Sequence, residues 1–279
     1  MSSLSYLAPA KLNLFLHITG RRPDGYHELQ TLFRLLDYGD RLDFEIAKND
    51  TLSLHSNSPH LPLDNNLIIR AARKLRLVSG QENAGAKIYL EKRIPLGAGL
   101  GGGSADAAIT LIALNRLWNT GLSDSQLCEI GLELGADVPV FIGSRTAWAE
   151  GIGEILSPVE LPDSWYLVLT PNCLVSTAEI FSHEQLTRDS TAIKMADFLA
   201  GRARNDCEIL TRRLYPAVDE ALQWLGAFGK ARMTGTGSAI FASFEDEAAA
   251  GAVLAKLPRK FNGFVAKGVN SLEYEYNAT

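Results

Sequence analysis

The amino-terminal segment alternates between two kinds of side chain with a period of two residues. The two interleaved sets are Leu12, Leu14, Leu16 and Ile18 on one face, and Lys11, Asn13, Phe15 and His17 on the other. Successive side chains of a β-strand point to opposite faces. The pattern therefore predicts a strand over residues 10–18. Its aliphatic face packs inward, and its other face presents a lysine, an amide, an aromatic ring and an imidazole.

The remaining pattern predicts mixed helix and strand structure. Strands are expected over residues 41–46, 86–94 and 165–169, with two short strands within 232–244 and further strands after residue 257. Helices are expected over residues 66–77, 104–117, 123–135, 177–181, 194–200, 206–214, 216–225 and 245–257. Ser123 and Gln126 have the spacing of a capping box. Glycine and proline near residue 158 predict a boundary between two domains, 1–158 and 159–279.

Residues 95–104 contain five glycines within seven positions, in the order Pro-Leu-Gly-Ala-Gly-Leu-Gly-Gly-Gly-Ser. A helix pattern begins directly after them. The free N–H groups and the positive dipole end of a helix N-terminus attract anions. We therefore expect this loop to bind a phosphate group of a nucleotide.

Three other interpretations of this loop fit less well. A Walker A loop requires Lys-Ser or Lys-Thr after the glycines, and neither pair follows here. Gly97, Gly99 and Gly102 match a dinucleotide-binding pattern, but that fold requires a strand after the helix, and a second capped helix follows instead. A flexible linker is disfavoured because strand and helix patterns adjoin the loop without polar spacers.

Composition and charge exclude several classes of function. The 279 residues carry a net charge of −5, which argues against nonspecific nucleic-acid binding. No segment approaches the roughly 20 apolar residues of a membrane span, and the N-terminus lacks the layout of a signal peptide. Three widely separated cysteines predict neither a disulfide framework nor a zinc site. We therefore expect a cytoplasmic protein with no nucleic-acid or membrane partner.

Four polar features each allow a functional and a structural interpretation. Lys11 is either functional or an edge-strand lysine whose stem lies on apolar surface. Asp137 is either functional or a turn residue that binds its own backbone. A hairpin accounts for the turn formers in residues 20–28, but not for Tyr26 and His27. Residues 234–238 form a second glycine loop or a tight hairpin turn.

Five segments, in order along the chain, resemble motifs of the GHMP kinases, which include galactokinase, homoserine kinase and mevalonate kinase. They are residues 8–14, 22–29, 95–104, 135–139 and 233–238. Segments 22–29 and 135–139 resemble the branch that acts on a cytidine diphosphate sugar alcohol. The resemblance implies an α+β fold of two domains, one like ribosomal protein S5 and one ferredoxin-like, with the active site in the cleft between them.

The resemblance also implies transfer of the γ-phosphoryl group of ATP to a tertiary hydroxyl group in isoprenoid biosynthesis, with ATP and Mg²⁺ as cofactors. It implies Lys11 and Asp137 as catalytic residues. The implied ATP-binding residues are Pro95, Leu96, Gly97, Ala98, Gly99, Leu100, Gly101, Gly102, Gly103, Ser104 and Ala105, with Ser104 also near Mg²⁺. The implied substrate-binding residues are Asn13, Tyr26, His27, Thr177 and Phe181.

Within these implied roles, Tyr26 and Phe181 stack on the base and His27 contacts its polar edge. Asn65 and Asn66 are weaker candidates for the adenine side, and no role is assigned to Asp106. Two alternatives stay open: another small-molecule GHMP kinase, and a nucleotide-binding module without catalysis. The Tyr26-His27 pair argues against the first, and the presence of both Lys11 and Asp137 argues against the second. A monomer or weak homodimer is expected.

Overall fold

The computed structural model describes residues 3–59, 61 and 65–274. Within them the chain forms ten strands and nine helices. The strands are β1 (Ser3–Arg21), β2 (His27–Ala47), β3 (Leu52–Ser56), β4 (Gly85–Glu91), β5 (Ala147–Glu150), β6 (Ile155–Pro158), β7 (Ser164–Pro171), β8 (Arg232–Met233), β9 (Ile240–Phe244) and β10 (Phe261–Val269). The helices are α1 (Leu67–Ser79), α2 (Gly102–Leu117), α3 (Asp124–Leu134), α4 (Val138–Ile142), α5 (Thr177–Ser182), α6 (Met195–Leu199), α7 (Glu208–Leu214), α8 (Pro216–Gly226) and α9 (Glu247–Leu254).

Strand β2 is the centre of the sheet. It pairs with β1 along nearly its whole length, with β4 over its C-terminal part, and with β5 and β10 at other positions. The main strand order is β3-β4-β2-β10-β7-β9-β8. All of these pairs are antiparallel except β3 with β4. The pairing of β10 with β2 joins the C-terminal strands to the N-terminal ones.

Strand β1 is longer than its pattern predicts, and both of its faces are buried. Lys11, Asn13 and His17 are each shielded from solvent, as are the aliphatic residues between them. The expectation that the second face presents its side chains outward is therefore wrong. Segments from the C-terminal half cover this face. One of them pairs with the Leu16 backbone, whose N–H donates to the Arg204 carbonyl oxygen.

Most of the elements predicted from periodicity are confirmed, with small differences at their ends. The capping box of α3 is present, with Ser123 as N-cap and Gln126 bonding back to it. Asn66 caps α1 by accepting from the Ile68 N–H. The patterns did not predict β3, β5, β6 or α4, which are short and have no clear periodicity. They also found only the end of the 21-residue β2.

Buried apolar side chains form three clusters. One lies among α1–α4 and the strands of the N-terminal half. A second lies among α5, α7–α9 and the strands of the C-terminal half, and it also contains Leu16 and Ile18 of β1. The third includes residues of both halves, among them Leu12 on β1, Leu100 in the glycine loop and Val168 on β7. The boundary near residue 158 stays a prediction. No helix among the described residues is long and apolar enough to cross a membrane.

Gly39 lies opposite Pro9, at the point where the register of β1 and β2 shifts. A Cβ atom there would lie 2.7 Å from the Ala8 carbonyl carbon and 2.8 Å from the Pro9 Cα atom. We expect Gly39→Ala to lower the free energy of unfolding by about 2–4 kcal/mol, because the two backbones must separate. Gly251→Ala on α9 is the control, since nothing lies within 4 Å of its added methyl group. Helix propensity predicts a gain of about 0.5–1 kcal/mol there. Urea unfolding measures both, and equal values would contradict this account.

Candidate active site

A cavity of about 610 Å³ lies where β1, the glycine loop, α5 and the turn after β8 meet. Its lining brings together many of the residues expected at a functional site: Lys11, Asn13, Tyr26, His27, Gly99, Gly101, Ser104, Asp137, Thr177 and Phe181. These residues come from widely separated parts of the chain, so tertiary structure assembles them.

Lys11 and Asp137 form an ion pair in this cavity. The Lys11 Nζ atom lies 3.1 Å from the Asp137 Oδ2 atom, and the two side chains are 4% and 33% exposed. Lys11 also donates to the Asn13 Oδ1 atom at 2.6 Å and lies 5.2 Å from the centroid of the Phe33 ring. The ammonium group is therefore held on three sides. The Asp137 carboxylate remains accessible from the cavity.

Asn13 is held in a single orientation by its neighbours. Its Nδ2 group donates to the Thr31 Oγ1 atom at 3.0 Å, and Thr31 in turn donates to the Phe15 carbonyl oxygen. The Asn13 backbone N–H donates to the Thr234 hydroxyl group at 2.9 Å. Because the Thr31 hydroxyl accepts from the amide nitrogen, the Asn13 amide oxygen faces Lys11.

The glycine loop packs directly against other backbone segments. Gly97, Gly99 and Gly101 all have positive φ values, which favour glycine. A Cβ atom on Gly99 would lie 2.7 Å from the Thr234 carbonyl oxygen. The Lys11 N–H donates to the Leu100 carbonyl oxygen at 2.9 Å, which ties the loop to β1. The loop is thus fixed by contacts and is not a loose linker.

Helix α2 begins at Gly102, and its N-cap, Gly101, provides no side-chain acceptor for the first amide groups. Ser104 lies in the first turn, and its side chain lines the cavity together with Gly99 and Gly101. Three other loop residues line a second cavity of about 230 Å³ instead: Pro95, Leu96 and Ala98. Neither of these two cavities is lined by Gly97, Leu100, Gly102, Gly103 or Ala105.

An aromatic group occupies the other end of the main cavity. The rings of His27 and Phe181 lie 5.1 Å apart between centroids, tilted by 34°. Tyr26 is 59% exposed and lies beside them. Thr177, the first residue of α5, shares a hydrogen bond of 3.0 Å with the Thr236 hydroxyl group. These side chains offer aromatic faces and polar groups to a flat ring with polar edges that enters the cavity.

Sequence reasoning missed three residues that support the site: Thr31, Phe33 and Arg188. Arg188 donates from its Nε atom to the His27 Nε2 atom at 3.0 Å, across 161 positions in the chain. No local pattern signals a contact of this kind. Thr31 and Phe33 lie on β2 opposite Leu16 and Asn13 of β1, so only knowledge of that pairing could have indicated them.

Asp106, to which no role was assigned, belongs to a buried charged cluster. Lys92 Nζ lies 2.5 Å from the Asp40 Oδ2 atom and 2.8 Å from the Asp106 Oδ2 atom. Burial raises the pKa of Asp106 to about 7, against the opposing charge of Lys92, and Asp40 raises it further. Burial alone would lower the pKa of Lys92, but the two carboxylates raise it. The cluster joins β2, the segment before the glycine loop and the second turn of α2.

The described residues contain no group of three or more His, Cys, Asp or Glu side chains that could hold a metal ion by themselves. Mg²⁺ at nucleotide sites takes most of its ligands from phosphate groups and water, with only one or two from protein. Ser104 and Asp137 offer a hydroxyl group and a carboxylate in the same cavity. Because the Asp137 carboxylate is paired with Lys11, the Ser104 hydroxyl group is the ligand that fits an ion arriving with a nucleotide.

Comparison with known proteins gives the class of this fold. The family model of the GHMP kinase N-terminal domain matches residues 66–145, and that of the C-terminal domain matches residues 187–263. A solved structure of mevalonate kinase from Methanococcus jannaschii superimposes with a TM-score of 0.71, covering 96% of this chain and 98% of that one, at 17% identity. The expected GHMP kinase fold is confirmed.

Relatives of higher identity define the family more closely. A 4-diphosphocytidyl-2-C-methyl-D-erythritol kinase of Alkalilimnicola ehrlichii is 57% identical over 94% of this chain and 90% of its own length. The kinase of the same name from Pseudomonas paraeruginosa is 56% identical over 96% and 94%. A crystal structure of 4-(cytidine 5'-diphospho)-2C-methyl-D-erythritol kinase shares 35% identity, with a TM-score of 0.80 over 95% and 98%. The chain belongs to the GHMP kinases and, within them, to the 4-diphosphocytidyl-2-C-methyl-D-erythritol kinases.

The raised pKa of Asp106 predicts a pH dependence of stability. An unfolded aspartate has a pKa near 3.8, so between that pH and about 7 the folded state binds the additional proton. The contribution of this group to the free energy of unfolding therefore falls as pH rises through that window. The amide in Asp106→Asn does not titrate, so we expect the stability of this variant relative to wild type to increase from pH 5 to pH 7.5. Urea unfolding measures it, with the exposed Asp50→Asn as control. A difference independent of pH would contradict the assignment.

Proposed function

We propose that this GHMP kinase transfers the γ-phosphoryl group of ATP to the 2-hydroxyl group of 4-diphosphocytidyl-2-C-methyl-D-erythritol, in the non-mevalonate pathway of isoprenoid biosynthesis. One observation carries the proposal. A single cavity connects the uncapped start of α2, the Lys11–Asp137 pair and the aromatic group that includes His27. The cavity therefore offers partners for a phosphate group, for the substrate hydroxyl group and for the base.

In the proposed step, Asp137 orients the substrate hydroxyl group and accepts its proton. The hydroxyl oxygen forms a bond to the γ-phosphorus atom as the bond to the bridging oxygen of ADP breaks. Such transfers require alignment and charge stabilisation more than covalent chemistry. The Lys11 ammonium group, 3.1 Å from Asp137, stabilises the carboxylate and the negative charge that develops on the hydroxyl oxygen.

On the nucleotide side, the glycine loop within residues 95–105 holds the triphosphate through its free backbone N–H groups and the dipole of α2. Pro95 has no N–H group, so it contributes only to the shape of the loop. Ser104 would hold Mg²⁺ together with the phosphate oxygens. When bound, the ion would neutralise part of the negative charge on the transferred phosphoryl group. The N–H groups at the start of α2 complement the same charge.

On the substrate side, Tyr26 and Phe181 stack on the cytosine ring and His27 contacts its polar edge. Stacking on an aromatic side chain contributes about 1–3 kcal/mol per base. Asn13 and Thr177 contact the rest of the substrate. Mevalonate and homoserine have no base to occupy this end of the cavity, so another GHMP kinase activity is disfavoured. A binding module without catalysis would not require Asp137 beside Lys11.

We also propose a location, a class of partner and an oligomeric state for the enzyme. The three cysteines, Cys128, Cys173 and Cys207, form no disulfide with one another, which suits a reducing cytoplasm. The net charge of −5 suits a protein without a nucleic-acid partner. We propose a monomer or weak homodimer that acts on a small molecule.

Replacing Asp137 tests the catalytic assignment. We expect Asp137→Asn to lower kcat by about 10²-fold or more, because the amide cannot accept the hydroxyl proton. ATP affinity should change little, since the glycine loop is intact. ADP release measures turnover and calorimetry measures ATP binding, with Asp50→Asn as control. Near-normal turnover in Asp137→Asn would overturn the role given to this carboxylate.

Replacing Thr31 tests the support of the Lys11–Asn13 contact. Thr31→Val keeps the shape of the side chain but removes the acceptor of the Asn13 amide group. We expect kcat to fall about 3- to 10-fold, the rate equivalent of one neutral hydrogen bond of about 1 kcal/mol. KM for ATP should not change. Thr146→Val is the control, because this buried threonine also accepts from an N–H group and donates to a carbonyl oxygen but lines neither cavity. Equal kcat for the two variants would contradict the role of Thr31.

A further inference from the structure

Arg188 organises the aromatic end of the cavity without lining it. Its Nη2 atom donates to the carbonyl oxygens of Phe181 at 2.9 Å and His183 at 2.8 Å. Its Nη1 atom donates to the Leu186 carbonyl oxygen at 3.2 Å. Its Nε atom donates to the His27 Nε2 atom at 3.0 Å. One guanidinium group thus connects the end of α5 with the first residue of β2.

The contact with His27 determines where the imidazole proton lies. A guanidinium group has five N–H donors and no acceptor, and it does not deprotonate in proteins. The His27 Nε2 atom must therefore offer a lone pair. A neutral imidazole with its lone pair on Nε2 carries its proton on Nδ1.

The charges around His27 agree with a neutral ring. Burial lowers the pKa of His27, and the positive charges of Arg188 and Arg21 lower it further. Arg21 lies directly opposite His27 in the pairing of β1 with β2, and Arg188 approaches from the segment after α5. These two cations are the charged groups that act on the ring, and both favour its uncharged form.

The Nδ1 atom of His27 is available to a ligand. Among the described residues this atom has no hydrogen-bond partner. It is also absent from the buried side-chain atoms that lack a partner, so it is accessible. The His27 side chain lines the main cavity. A proton held on Nδ1 is therefore a hydrogen-bond donor that a bound ring can reach.

We propose that Arg188 is a positioning residue for substrate recognition: it fixes His27 as an Nδ1–H donor to an acceptor atom of the pyrimidine ring, either the O2 carbonyl oxygen or the N3 atom. The proposal rests on the proposed function, because it assumes that the base binds at this end of the cavity. Arg188 also holds the Phe181 carbonyl oxygen. The donor and the stacking ring are thus set by one side chain.

The test replaces Arg188 by methionine, which retains length but neither charge nor donors. The control is Arg213→Met, an exposed arginine on α7. At pH 8 the Arg188→Met variant leaves the neutral imidazole free to carry its proton on Nε2. We expect KM for the cytidyl substrate to rise about 3- to 10-fold, the equivalent of one hydrogen bond of about 1 kcal/mol between neutral groups. KM for ATP and kcat should stay within about twofold of wild type.

The pH dependence of KM distinguishes a role of Arg188 in placing the His27 proton from a role that only holds α5 in position. As pH falls from 8 to 5.5, a growing fraction of the His27 rings in Arg188→Met is protonated, and a protonated ring again carries a hydrogen on Nδ1. The ratio of its KM to that of wild type should therefore shrink. A raised ratio that is independent of pH would overturn the proposal, as would a KM equal to that of Arg213→Met.

A spectroscopic measurement keeps this test separate from the proposed function. Nitrogen-15 NMR of the imidazole, recorded without substrate, should show the His27 proton on Nδ1 in wild type and a shift toward Nε2 in Arg188→Met. An unchanged tautomer would overturn the proposal even if the kinetics agreed. Failure of wild type to turn over the cytidyl substrate would instead contradict the proposed function.

A pair of substitutions at His27 provides a check that does not depend on how Arg188→Met folds. The amide nitrogen of asparagine occupies nearly the place of Nδ1, and that of glutamine nearly the place of Nε2. We expect His27→Asn to retain tighter binding of cytidine diphosphate than His27→Gln. The reverse order would contradict a donor at Nδ1.

Discussion

The ammonium group of Lys11 is buried on β1, and the arrangement of the site depends on supplying it with partners. A buried charge without partners costs several kcal/mol, so its neighbours must be held in place. Asp137 provides the opposite charge, Asn13 an amide oxygen and Phe33 the face of a ring. Thr31 fixes the amide in turn. Sheet pairing of β1 with β2 and the start of α4 are thus constrained by one side chain.

The glycine loop is constrained by the same Lys11 side chain. A Cβ atom on Gly101 would lie 3.0 Å from the Lys11 Cγ atom and 2.8 Å from the Phe141 ring, so only glycine allows the loop to pass this close. The loop continues into α2, where Asp106 joins Lys92 and Asp40 in a second buried cluster. The glycine loop and the Lys11–Asp137 pair are therefore parts of one packed unit, which suits the proposed reaction because such a transfer depends on alignment.

The sequence allowed the glycine loop, the helix after it and most other helices to be predicted, because these follow from periodicity and capping. It also indicated Lys11 and Asp137, through motifs that resemble a family. It did not indicate that Asp106 is buried beside Lys92, because a helix pattern does not show which residue of another segment lies next to it. Nor did it indicate that Arg188 reaches His27, because the contact spans 161 positions and arises from packing. Periodicity and capping predicted helices and strands, whereas polar contacts between distant residues could be identified only from the folded structure.

The central claim is that one cavity joins phosphoryl transfer to recognition of a cytidine group. The most direct measurement is ADP release with ATP and Mg²⁺, comparing 4-diphosphocytidyl-2-C-methyl-D-erythritol with mevalonate, homoserine and galactose as acceptors. We expect turnover with the cytidyl substrate and none above background with the other three. Comparable turnover with an acceptor that lacks a base would contradict the base pocket. ATP binding without turnover of any acceptor would contradict the kinase mechanism.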